Sequence, residues 1–175
     1  MRYVALATLA AVLVTSSRTA PGTSPRVSRS EEAAHEVIAV YLGAEGTDAK
    51  SGMIAAVQEM RVALARQAAA TNRRFVLRGI SLEPSTEAGF RHLALLGYFD
   101  EISVGGNWTN SSALRYLGTS IGRDSTSSIP QVVLLERDIV RGQTSLQVSQ
   151  EREIGRFIGT AAIANWARRG APLPK

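Results

Sequence analysis

The sequence predicts an α/β domain behind an export leader. Three observations carry this reading. Short apolar runs of strand length, rich in β-branched residues, stand at 37–42 and 131–135. Between them lie segments whose apolar residues repeat at helical spacing. The first fourteen residues are almost wholly apolar after a single arginine. A chain of 175 residues suits one domain and buries about two-thirds of its unfolded surface without metal or disulfide support. It contains no cysteine. Thiol–disulfide exchange needs an attacking thiolate and a second sulfur, so that chemistry is excluded.

The leader, 1–17, has Arg2 as a short positive region, an apolar run from Tyr3 to Val14, and small residues Thr15 and Ser16 for cleavage. As a helix the run is about 18 Å long at 1.5 Å per residue, against about 30 Å for a bilayer core. A signal peptide is expected, with an uncleaved anchor as the alternative. Residues 18–34, rich in Ser, Thr, Pro and charge, read as a flexible linker. The domain proper is expected over 35–170, with a short tail at 171–175. Net charge is +5, and all basic residues but Lys50 and Lys175 are arginine. They are scattered rather than gathered on one face, so nucleic acid is not an expected partner.

Within the domain, 37–42 is a buried strand ended by Gly43. Met53, Val57, Met60, Leu64 and Ala68 mark an amphipathic helix to about Ala70, with Asp48 or Ser51 as its cap. A second strand follows over 74–82. Pro84, Ser85 and Glu87 announce a helix whose buried stripe is Phe90, Leu93, Ala94 and Leu96, ended by Gly97. An extended piece at 98–104 leads through Gly105 and Gly106 to a short helix capped by Thr109 or Asn110 and running to Leu117. Pro130 opens the strong strand 131–135, and 144–148 alternates as its hairpin partner. A last helix is expected over about 151–167, with Ile154, Ile158, Ala161 and Ile163 inward, stopped by Gly170 and Pro172.

This succession resembles the thioredoxin-like fold family. Two local features carry the likeness. Ser128, Ile129 and Pro130 stand directly before the strand 131–135, and Val40 to Ala44 lead into Glu45, Gly46, Thr47 and Asp48 ahead of a helix. The resemblance covers about 35–167 and implies a three-layer sandwich around a central mixed sheet. It also implies that Pro130 is cis; the plainer alternative is that Pro130 simply starts a strand. Glu45 and Asp48 stand where such proteins carry redox cysteines, and 98–118 looks like an insertion. The surface the resemblance points to comprises Glu45, Gly46, Thr47, Asp48, Ile129 and Pro130, where an extended peptide docks by backbone pairing. Trp108, beside two glycines, is the candidate exposed aromatic contact.

Other motifs are weaker. Residues 118–122 match G-x-S-x-G, but a helix precedes the serine and both histidines, His35 and His92, lie upstream. Residues 44–51 imitate a phosphate-binding loop ending in Lys50-Ser51, yet Ala44 and Ala49 replace its glycines, and Glu45 and Asp48 oppose an anion. A nucleotide-binding enzyme built on this degenerate loop is the alternative function. Glu45 and Asp48 fall short of the ligands calcium takes, and the histidines lack ligand-spaced partners. The two sequons, at Asn107 and Asn110, read as turn and cap chemistry. The expectation is a periplasmic or extracellular, redox-inactive, non-enzymatic binding or structural module without a cofactor. Its partner would be an extended peptide or an envelope protein, with membrane contact only through an uncleaved leader.

Overall fold

The run 37–42 is fully buried and forms the centre of the molecule. In the computed structural model, which describes residues 32–48, 52–117, 128–141 and 145–174, this run belongs to strand β1, Glu32–Gly43. A strand covered on both faces must be apolar at every position rather than at alternate ones, and 37–42 meets that demand. β1 starts at Glu32, so 32–34 belong to the sheet and not to a linker. The leader, the remaining linker, the G-x-S-x-G motif at 118–122 and Ala49, Lys50 and Ser51 lie outside the described residues.

A four-residue helical turn α1, Glu45–Asp48, follows, then the long helix α2, Met53–Ala70. The expected stripe of α2 is buried at Met53, Val57, Met60, Leu64 and Ala68. Its expected side-chain cap is not: Gly52 is the N-cap, in the left-handed region at φ 72°, with no capping side chain. Asp48 instead ends α1. β2, Arg74–Ser81, pairs parallel with β1, from Glu36 opposite Arg74 to Gly43 opposite Ser81. α3, Thr86–Leu96, starts as expected, the Ser85 hydroxyl accepting from the Ala88 N–H at 3.1 Å. Leu93 and Leu96 are buried but Phe90 is 58% exposed and Ala94 is exposed too, so the stripe is narrower than its spacing suggested.

β3, Glu101–Ser103, pairs parallel with β2. A 3₁₀ turn at Asn107–Thr109 leads to α4, Ser111–Leu117, capped by Asn110, whose Oδ1 accepts from the N–H groups of Ser112 and Ala113. β4, Gln131–Arg141, runs antiparallel to β1, and β5, Leu146–Val148, pairs with its far end. β6, Arg152–Ile158, takes the near end of β4, and α5, Thr160–Arg168, closes the chain's regular structure. The result is an α/β domain with a mixed six-stranded sheet in the order β3-β2-β1-β4-β5, with β6 also on β4. Among the described residues no helix is long and apolar enough to cross a membrane.

The segment 151–158 overturns the expected long terminal helix. Ile154 and Ile158 are four apart, as on one helical face, but the segment pairs with β4 and has two glycines, one within it and one closing it. A Cβ at Gly155 would stand 2.9 Å from Pro174 Cγ, and Gly159 sits at φ 84°, where a helix cannot pass. Strand pairing wins, with a bulge at Ile154 between the Leu134 and Leu135 pairs. Ile163 is buried in α5, whereas Ala161 is exposed.

Strand alternation divides the core. Ala39, Tyr41, Leu77, Val132 and Leu134 meet α2, α3 and α5 on one face. Ile38, Val40, Leu42, Val76, Ile80, Val133 and Leu135 meet Ala113 and Tyr116 of α4 on the other. The crossovers β1-α2-β2 and β2-α3-β3 step the same way across the sheet, and right-handed crossovers therefore leave both helices on one side. α4, which precedes β4 in the chain, packs on the opposite face. Within the stretch 98–117, β3 extends the sheet and α4 covers its second face.

Candidate functional site

The parallel strands β1, β2 and β3 all end at one edge of the sheet, and β4 begins there. Leu42 opposite Gln131 is the last pair of the β1–β4 ladder, which sets Ala44 and α1 beside Ile129 and Pro130. Ala44 and Ile129 both pack against the α4-side cluster. The Ile129–Pro130 peptide bond is cis. Pro130 is buried, and its carbonyl accepts from the Gly159 N–H at 2.8 Å. Gln131, also buried, holds the turn before it. Its Nε2 donates to the Ser128 carbonyl at 2.7 Å, while its Oε1 accepts from Arg156 at 2.6 Å. Among the described residues, neither backbone group of Ile129 has a hydrogen-bond partner.

Glu45 and Gly46 are exposed, and Thr47 and Asp48 complete α1. The Glu45 N–H donates to Glu83 Oε1 at 2.9 Å. A carboxylate therefore already occupies the first N–H of this turn, where the nucleotide alternative would need phosphate. Trp108 is 46% exposed on its 3₁₀ turn. It reaches the same edge because the Asn107 N–H donates to the Glu83 carbonyl at 3.3 Å. At this end of the sheet α1 follows β1 beside Ile129 and Pro130, and the Trp108 turn is tied to the connection after β2. Glu83, which the sequence did not single out, joins α1 to the Trp108 turn.

The histidines serve elsewhere. His92 is buried in α3, its Nδ1 3.0 Å from Ser81 Oγ at the end of β2. His35, exposed, pairs with Asp138 at 2.6 Å on the opposite end of the sheet. Among the described residues no group of His, Asp and Glu is arranged to hold a metal ion.

A second constellation escaped the sequence reading. Below α4 the same face of the sheet carries charge instead of apolar side chains. Glu36, fully buried, accepts from Arg137 Nε at 2.7 Å and lies 3.2 Å from Arg74. Glu151 meets Arg115 at 3.0 Å, Arg137 at 3.2 Å, Arg78 at 3.4 Å and the Tyr116 hydroxyl at 3.1 Å. Arg78 also donates to Glu101 at 2.7 Å and to the Tyr116 oxygen. Burial alone pulls the Arg78 guanidinium down, but the Glu101 hydrogen bond and the surrounding negative groups outweigh it and hold it above its ordinary value. Burial pushes the Tyr116 phenol up, and Glu151 adds to the rise against the opposing charge of Arg78. The signal in the sequence was period-two alternation continuing past the apolar run: Glu36 follows the rhythm of Ile38, Val40 and Leu42.

No protein-family model, no curated protein and no solved structure matches the chain.

Proposed function

We propose that this chain is an exported, thioredoxin-like binding module without thiol chemistry, which takes an extended polypeptide along the edge formed by α1, Ile129 and Pro130. The succession strand, helix, strand, helix, proline-opened strand, antiparallel neighbour and terminal helix supports the family reading. The observation that carries the docking reading is the Leu42–Gln131 register, beside which the Ile129 N–H and C=O are unpaired among the described residues. A strand-like ligand adds main-chain hydrogen bonds at such an edge and gains specificity from neighbouring side chains. Trp108 supplies an aromatic contact, a residue type enriched where binding energy concentrates.

The test is selection of unstructured peptides on the full chain, followed by calorimetry and backbone amide exchange. The expected result is micromolar binding, about −8 kcal/mol, with slowed exchange at Ile129 and affinity about tenfold weaker in Trp108→Ala. Selected peptides that protect amides elsewhere, or none selected at all, would overturn the reading.

A further inference from the structure

We infer that Glu83 is the positioning residue of this edge, an inference that rests on the peptide-docking reading above. Glu83 lies in the short connection between β2 and α3, and it grips both flanking loops with different atoms. Its carboxylate Oε1 accepts from Glu45 N–H at 2.9 Å, and its main-chain carbonyl accepts from Asn107 N–H at 3.3 Å. Its own N–H donates to Ser81 Oγ at 3.4 Å, and that hydroxyl is fixed by the buried His92 ring at 3.0 Å. A line of contacts therefore runs from the core through Ser81 to Glu83, and from there to α1 on one side and the Trp108 turn on the other.

The Trp108 turn has little freedom of its own. Gly105, Gly106 and Asn107 stand consecutively in the left-handed region, at φ 81°, 77° and 50°. Asn107 holds this conformation with a Cβ, which persists only where the surroundings determine it. The Asn110 side chain donates to the Gly105 carbonyl at 2.9 Å and accepts from Ser103 Oγ at 3.0 Å. The indole thus rides on a rigid turn whose tie towards α1 runs through Glu83. A ligand that engages both Ile129 and Trp108 meets a span already set, which lowers the ordering cost of binding. Glu83 contributes no contact to the ligand in this scheme. It acts through Glu45 and Asn107.

The experiment compares wild type, Glu83→Ala, Glu83→Gln and Glu83→Asp as full chains, by amide exchange and by affinity for a selected peptide. Glu83→Ala removes only the carboxylate acceptor, whereas Glu83→Gln keeps an amide oxygen in its place. The alanine variant is expected to exchange Glu45 about tenfold faster and to bind about tenfold more weakly, with glutamine restoring both. If the alanine variant does not fold, Glu83→Asp, which withdraws the carboxylate by one methylene, is expected to show the same two changes. Unaltered Glu45 exchange alongside normal peptide binding would remove Glu83 from this role and leave the docking reading standing. Faster exchange with unchanged affinity, or a glutamine variant that fails to recover, would also overturn it. A wild-type chain that binds no peptide would sink both readings together.

Discussion

Tyr116, on the buried face of α4, sits where three kinds of force meet: burial against the sheet, the positive charge of Arg78, and the carboxylate of Glu151. Its phenol titrates above the ordinary value of 10.0, so the folded state holds its proton more tightly than the unfolded chain does. The stabilisation this brings is fully present below the unfolded value and is lost as pH rises through the raised one. Denaturant unfolding from about pH 9 to 11 should therefore show stability falling in the wild type and falling less in Tyr116→Phe. Equal slopes for the two proteins would show that Tyr116 is not the group responsible. Such a residue was not legible in the sequence. Its partners Arg78 and Glu151 are 38 and 35 positions away, and no local spacing announces them. Ser85 and Asn110 were legible, because a capping side chain bonds an N–H only two or three residues on.

The elements were read best where their signal is local and worst where a distant segment chooses between alternatives. α2 shows its buried stripe in five residues at helical spacing, and α3 and α4 carry their own start signals. β6 does not: its isoleucines fit either period, and the outcome turns on pairing with β4 and on Gly159 at φ 84° ending the strand before α5. The chain end beyond α5, a tail by its sequence, is fastened to α2. Gln67 donates from Nε2 to the Gly170 and Ala171 carbonyls at 2.9 and 3.0 Å and accepts from Leu173 N–H at 3.2 Å. Trp166 stacks on Phe157 with ring centres 4.1 Å apart and donates to the Pro172 carbonyl at 3.1 Å. Gln67→Ala should cost about 1–3 kcal/mol, since it strands partly buried backbone groups. It should also speed exchange at Leu173 more than at β1. A variant as stable as wild type, with Leu173 still protected, would show that the tail is held by packing alone.

Across the whole molecule, the sheet solves its two faces differently. One is covered by three helices. The other is covered by α4 over its upper half and by interlocked arginine and glutamate side chains below. Removing one member of a buried pair leaves an uncompensated charge, which costs far more than losing both. Arg137→Met, which leaves the fully buried Glu36 carboxylate with the exposed Arg74 at 3.2 Å as its ion-pair partner, should therefore destabilise the protein by about 3–5 kcal/mol. Glu36→Met combined with Arg137→Met should lose less than that single change, as measured by denaturant unfolding of each variant. An Arg137→Met loss below about 1 kcal/mol would place this network with ordinary surface pairs.

The division between sequence and fold follows from the range of the interactions. The lack of any sulfur nucleophile, the central apolar strand, the long helix with its stripe, and two of the helix caps depend on composition or on neighbours a few residues apart, and they can be read in one dimension. The proposed docking edge depends on Leu42 meeting Gln131, the tie from Glu83 on its reaching back 38 positions to Glu45, and the charged face on Glu36 meeting Arg137 across 101. Contacts of that separation exist only after the strands have chosen their order and register. That choice is made by burying the sheet as a whole, because no short segment gains enough by itself to fix it.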